Sequence, residues 1–139
     1  MRMTAARVAT YATIGAVAVW AVKALAIGLA GGLNQSPAEG PLFFLGMILF
    51  MVGLVAIGLA ITAGRSLGMR AVGVLGAVAV TMVVWLAIDT VIASLAPEND
   101  PHWVWAEAQL WLIAVTVAVA WQFWLGRIGR RVPREGVPA

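Results

Sequence analysis

The 139-residue chain contains no cysteine, one histidine and one lysine, and only 11% of its residues are charged. The absence of cysteine excludes disulfide bonds, thiolate metal ligands and thiol redox chemistry. Hydrophobic residues make up 63% of the chain, which is far too many for a soluble domain of this size. We therefore expect one domain, residues 1–139, that resides in a lipid bilayer.

Apolar runs of about 20 residues, the length needed to cross the hydrocarbon core, occur four times. They cover approximately residues 8–29, 42–63, 71–95 and 104–126. The links between them are short and rich in glycine, proline and polar residues, which favours antiparallel neighbours. The sequence predicts an all-α fold: a polytopic membrane protein with a four-transmembrane-helix bundle of two antiparallel hairpins.

Arginine is confined to one side of this arrangement. The eight arginines are Arg2, Arg7, Arg65, Arg70, Arg127, Arg130, Arg131 and Arg134. By the positive-inside rule, the N-terminus, the middle loop and the basic tail 127–139 are cytoplasmic in a multi-pass protein of the cell membrane. Because the basic clusters adjoin apolar spans, they indicate orientation in the lipid bilayer, and we expect no nucleic-acid partner.

The N-terminal region also has features of a signal peptide. Arg2 and Arg7 precede an apolar run, and Ala24-Leu25-Ala26 resembles a cleavage site. The run is long for a signal sequence, however, and Lys23 lies directly before that site. A transmembrane helix is therefore the favoured interpretation.

Three ionisable residues lie within or at the edge of the spans: Lys23, Asp89 and Glu107. Counting ~1.5 Å per residue from the arginines places all three at a similar depth, near the outer face. One cation and two carboxylates at one depth can form ion pairs or a ligand site, with Lys23 facing Asp89 as one pairing. Alternatively, each side chain reaches the headgroups independently, as a snorkelling lysine does.

Three tryptophans are predicted to lie beside these carboxylates. Trp85 shares a helical face with Asp89, and Trp103 and Trp111 share one with Glu107. If the faces meet, acids and indoles line an outward-opening cavity suited to a small amphiphilic or cationic ligand. Ordinary packing or lipid contact is the alternative role of these rings.

Tryptophans also mark both ends of the fourth span. Trp103 and Trp105 stand at one end, and Trp121 and Trp124 at the other, about 27 Å away along a helix. That separation matches a hydrocarbon layer, so the pattern predicts interfacial aromatic belts.

Small residues indicate where helices approach closely. In the second span Gly46, Gly53 and Ala60 recur every seven residues, which defines one stripe along the helix. The stripe serves either packing within the chain or contact with a second copy.

No residue pattern indicates catalysis, a cofactor or a metal, and the acids around His102 match no ligand spacing. Four short spans resemble the small multidrug-resistance transporters, but that family requires a glutamate in its first span, where this chain has Lys23, so no family is assigned. We predict a non-enzymatic membrane protein that acts through helix–helix association, as a homo-oligomer or as an accessory subunit of a larger membrane complex. The alternative is a small transporter or ligand-binding protein that uses the Lys/Asp/Glu/Trp cluster.

Overall fold

The computed structural model describes residues 4–96 and 102–129. These residues form four α-helices: α1 (Ala5–Ala30), α2 (Glu39–Ile61), α3 (Leu67–Leu95) and α4 (His102–Gly129). All four are long and apolar enough to cross a membrane. The predicted all-helical fold with four candidate spans is confirmed.

The helices form a ring in chain order, in which α1 and α3 each pack against α2 and α4. Contacts between α1 and α4 show that these helices run in opposite directions: Trp121 donates a hydrogen bond to Thr10, and Glu107 contacts Lys23 farther along. We call the two ends of the bundle the arginine end and the acidic end. The first carries Arg7, Arg65, Arg70 and Arg127, and the second carries Glu39 and Glu107.

Local signals fix where several helices begin and end. Thr4 and Ser66 cap α1 and α3, because their hydroxyl oxygens accept hydrogen bonds from backbone amides three residues later. Gly31 ends α1 in the left-handed conformation, with φ at 88°, and the amide of Gly32 bonds back to the carbonyl of Ile27.

Helix α2 begins at Glu39, three residues before the predicted start of the second span. Pro41 is tolerated there because the first helical turn has no partner for a backbone amide. Ser36 accepts a hydrogen bond from the amide of Ala38 at 3.3 Å, so its hydroxyl organises the preceding turn. The proposed start of the fourth helix at Asp100-Pro101 lies outside the described residues.

The core lies mainly between α1, α2 and α4. Trp20 is its centre, with a ring centroid 5.4 Å from that of Phe50 and an indole nitrogen that donates to the carbonyl of Phe43. The largest cluster consists of Ala16, Trp20, Phe50, Leu54, Leu110, Ile113 and Ala114. Close packing of this cluster holds α1 and α4 in a fixed rotation about their axes.

The small-residue stripe of α2 packs within the chain. A Cβ at Gly46 would overlap the indole ring of Trp20, and a Cβ at Gly53 would lie 2.8 Å from Cγ2 of Thr13. Both glycines therefore allow α1 to approach α2 closely. Of the two interpretations of this stripe, intrachain packing is the one that the structure contains.

Trp121 differs from the sequence prediction of an aromatic belt. It is 2% exposed, stacks on Trp124 with ring centroids 5.1 Å apart, and bonds to Thr10. An indole with a satisfied N–H packs well in a core, and residue spacing along α4 does not reveal which way the ring points. Trp121 is therefore a core residue and not part of a surface belt.

Helix α3 is the least integrated element. All 29 of its residues are described, and Thr81 is the one that is buried. Its interface with α4 is the smallest between neighbouring helices. An open apolar cleft of about 430 Å³ separates parts of α2, α3 and α4, and its lining includes Gly76, Ala77 and Trp121.

Candidate functional site

A buried ion pair links α1 to α4 near the acidic end. The ammonium of Lys23 donates to Oε1 of Glu107. Lys23 is 4% exposed and Glu107 is 6% exposed, so water contributes little to either charge. The antiparallel arrangement of α1 and α4 brings these residues to one depth, 84 positions apart in sequence.

The pair is held by the core beneath it. Lys23 lies one helical turn beyond Trp20, and its ammonium is 5.7 Å from the ring centroid of Phe43 on α2. An aromatic face at that distance attracts a cation. Removing one partner of such a pair leaves the other charge buried and unpaired, which is strongly unfavourable.

Glu107 has an unused acceptor. Its second carboxylate oxygen, Oε2, is buried and has no hydrogen-bond partner among the described residues. Buried polar atoms in native proteins are nearly always partnered, so an unpaired carboxylate oxygen calls for a physical explanation.

Two hollows flank the ion pair. A polar hollow of about 360 Å³ lies between Lys23 and the α1–α2 connection, and its other lining residues are Asn34, Ser36, Glu39, Gly40 and Phe43. A second, mostly apolar hollow of about 510 Å³ lies on the outer surface between α1 and α4. We call it the Glu107 groove, lined by Ala21, Ala24, Leu25, Trp103, Val104, Glu107, Ala108 and Trp111.

The structure brings together four of the six residues singled out from the sequence. Lys23 and Glu107 form the pair, and Trp103 and Trp111 line the groove beside Glu107. Trp111 is 42% exposed, so its ring forms part of the groove's outer wall.

Asp89 and Trp85 lie elsewhere. Asp89 is exposed on α3, and Trp85 is half-buried against the main core cluster. The three ionisable residues therefore do not form one cluster, because Lys23 is paired with Glu107 instead of Asp89. Equal depth did not distinguish the two carboxylates, since the rotation of each helix decides which side chains meet.

Sequence reasoning missed Phe43 and the polar hollow. Glu39 and Phe43 continue the Gly46–Gly53 stripe toward the acidic end at helical spacing, so they lie on the face of α2 that meets α1. Extending the stripe by two turns toward the N-terminus of α2 would have predicted both. The acids that flank His102, Glu98 and Asp100, lie outside the described residues.

The fold and the buried pair define a class: an all-helical protein whose four helices are each long and apolar enough to cross a membrane. No protein-family model, curated protein or solved structure matches this chain.

Proposed function

We propose that the chain is a non-enzymatic integral membrane protein that works by helix–helix association, with α3 as the associating helix. The observation that supports this most is an exposed carboxylate, Asp89, on an otherwise apolar face of α3. Lipid tails offer no partner for a carboxylate, whereas another helix can.

The face that carries Asp89 has the spacing of a helix-packing stripe. Its residues are exposed and alternate four and three positions apart: Leu75, Ala79, Met82, Leu86, Asp89 and Ala93. This is the repeat by which two helices interlock over a long contact. The weak attachment of α3 to its own bundle leaves that stripe free for a partner.

The depth of Asp89 defines the chemistry of the partner. It lies about 9 Å from the last residue of α3, close to the acidic end, at ~1.5 Å rise per residue. A partner helix should present a cation or a hydrogen-bond donor at the same level. Either a second copy packed in an offset register or a subunit of a larger membrane complex can supply one.

Cross-linking tests this proposal, and the absence of natural cysteines makes each introduced thiol unique. Met82→Cys places a thiol on the stripe, and Val52→Cys places one on an exposed mid-helix position of α2 as the matched control. In native membranes we expect oxidation or a short maleimide cross-linker to give adducts at Met82→Cys and few at Val52→Cys. Equal, monomeric behaviour of both variants would contradict the proposal.

The charge of Asp89 should contribute to this association. Asp89→Asn is expected to weaken it about five- to thirtyfold, the equivalent of one interhelical hydrogen bond of ~1–2 kcal/mol in a membrane. The measurement is energy transfer between labelled helices in vesicles at varied dilution. If the Asp89→Asn variant associates as tightly as the parent, the Asp89 carboxylate takes no part in the association.

We also propose that the arginine end is cytoplasmic, which places both termini in the cytoplasm of a cell-membrane protein. The described arginines all lie at that end, and the other end carries Glu39. Gln35→Cys should react with an impermeant maleimide in intact cells, whereas Ser66→Cys should react only after the cells are permeabilised. The reverse labelling pattern would invert the orientation.

A further inference from the structure

Glu107 lines a groove on the outside of the bundle. Its carboxylate oxygen Oε2 has no hydrogen-bond partner among the described residues. Oε1 of this carboxylate is occupied by Lys23, and Oε2 keeps its lone pairs in a poorly hydrated position. A ligand that brings a positive charge and N–H donors would supply the missing partner.

The walls of the groove define the rest of that ligand. Trp103 and Trp111 stand one turn on either side of Glu107 along α4, and indole faces attract ammonium groups. Ala21, Ala24 and Leu25 of α1 form an apolar opposite wall. The exposure of Leu25 and Trp111 shows that the groove opens on the bundle surface, where lipid tails would lie.

We propose that the Glu107 groove binds an amphiphilic ammonium ion, with a –NH3⁺ headgroup on Oε2 of Glu107 and an apolar chain along α1. This site is distinct from the α3 stripe and does not depend on helix association. The ligand is either an amine-bearing lipid headgroup or a free amphiphilic amine, because both present the same chemistry.

Charge balance involves the polar hollow on the other side of the pair. Lys23 lines that hollow together with Glu39, whose carboxylate accepts a hydrogen bond from the amide of Asn34 at 2.7 Å. When a second cation reaches Glu107, the flexible lysine side chain can turn toward Glu39. Two carboxylates then balance two cations, and neither charge is left unpaired.

The test uses the full chain in phosphatidylcholine nanodiscs and dodecylamine as the probe. Saturable binding is expected above the partitioning seen with empty discs, and dodecyltrimethylammonium, which has no N–H donor, should bind more weakly. Glu107→Gln should weaken dodecylamine binding at least about tenfold, the equivalent of one charged hydrogen bond. Thr90→Val, which removes a polar group from an exposed position of α3 outside the groove, should leave binding unchanged.

Two further variants test the groove independently of Glu107→Gln, and one of them leaves the buried ion pair intact. Lys23→Met frees the whole carboxylate for the ligand and should tighten dodecylamine binding severalfold. Trp111→Leu alters an exposed wall residue and should weaken it severalfold, whereas Phe123→Leu, an exposed aromatic residue near the arginine end, should have no effect.

The proposal is overturned if dodecylamine binds folded Glu107→Gln as tightly as the parent. It is equally overturned if the parent binds dodecyl phosphate more tightly than dodecylamine and Lys23→Met abolishes that binding. The ligand-binding group would then be the Lys23 ammonium and not the Glu107 carboxylate. Competition by phosphatidylethanolamine added to the discs would identify the ligand as a lipid headgroup, and its absence would identify a free amine. Both results support the proposal, because both require binding that depends on Glu107.

Discussion

Replacing Glu107 with methionine is expected to destabilise the bundle by about 3 kcal/mol. The substitution keeps a flexible side chain of similar length but leaves the Lys23 ammonium buried without a counter-charge. Lys23→Met should destabilise the bundle by a similar amount, because it leaves the Glu107 carboxylate buried without a counter-charge. Unfolding in mixed micelles of increasing sodium dodecyl sulfate concentration, followed by circular dichroism, measures both losses.

The double variant Lys23→Met/Glu107→Met shows whether the two residues interact. With both charges gone, nothing buried is left unpaired, so its stability should return to within about 1–2 kcal/mol of the parent. The matched cycle uses Asp89→Asn with Lys23→Met, and its effects should add, because Asp89 is exposed on α3. Additive losses in the Lys23/Glu107 cycle would contradict the pairing.

Gly58→Ala is expected to force α3 away from α2 and to destabilise the bundle. A Cβ at Gly58 would lie 2.5 Å from Cα and 2.7 Å from N of Val74, so it meets backbone that cannot rotate away. Helix α3 must therefore shift from α2, at a cost of about 1–3 kcal/mol. The same unfolding assay measures the loss, and a cysteine pair across α2 and α3 reports the separation.

Gly76→Ala is the control for that substitution. Nothing lies within 4 Å of a Cβ built at Gly76, which faces the open cleft beside α3. The change adds a methyl group to a glycine of the facing helix without a clash, and alanine favours helix, so stability should be unchanged or slightly higher. Equal losses at Gly58 and Gly76 would show that the close approach of α2 and α3 is absent.

The four helices were predictable because crossing a bilayer demands long apolar runs, and this sequence has four of them separated by breakers. Each helix begins a few residues before its apolar run, since caps such as Thr4 and Ser66 lie outside the apolar stretch, whereas α2 ends at Ile61, inside its run. The apolar run determines which residues can cross the bilayer, whereas the capping residues determine where the helix begins and ends.

The depth of the ionisable residues followed from counting helical rise, but their partners did not. Lys23 meets Glu107 because Trp20 fits against Gly46 and Thr13 against Gly53, which fixes the rotation of α1 relative to its neighbours. Such contacts join residues far apart in sequence, and periodicity along one helix carries no information about them. Trp121 illustrates the same limit, since its spacing suited an aromatic belt while its ring packs in the core.

The chain's one lysine, Lys23, is paired with Glu107 and not with Asp89. Solid-state NMR can test it directly, because one lysine gives one unambiguous Nζ resonance in a ¹⁵N-labelled chain. Dipolar recoupling to ¹³C-labelled glutamate carboxyls should show a carbon within about 4 Å, the range of an ion pair, and that signal should vanish in Glu107→Gln. Recoupling to ¹³C-labelled aspartate carboxyls, or to neither label, would contradict the account.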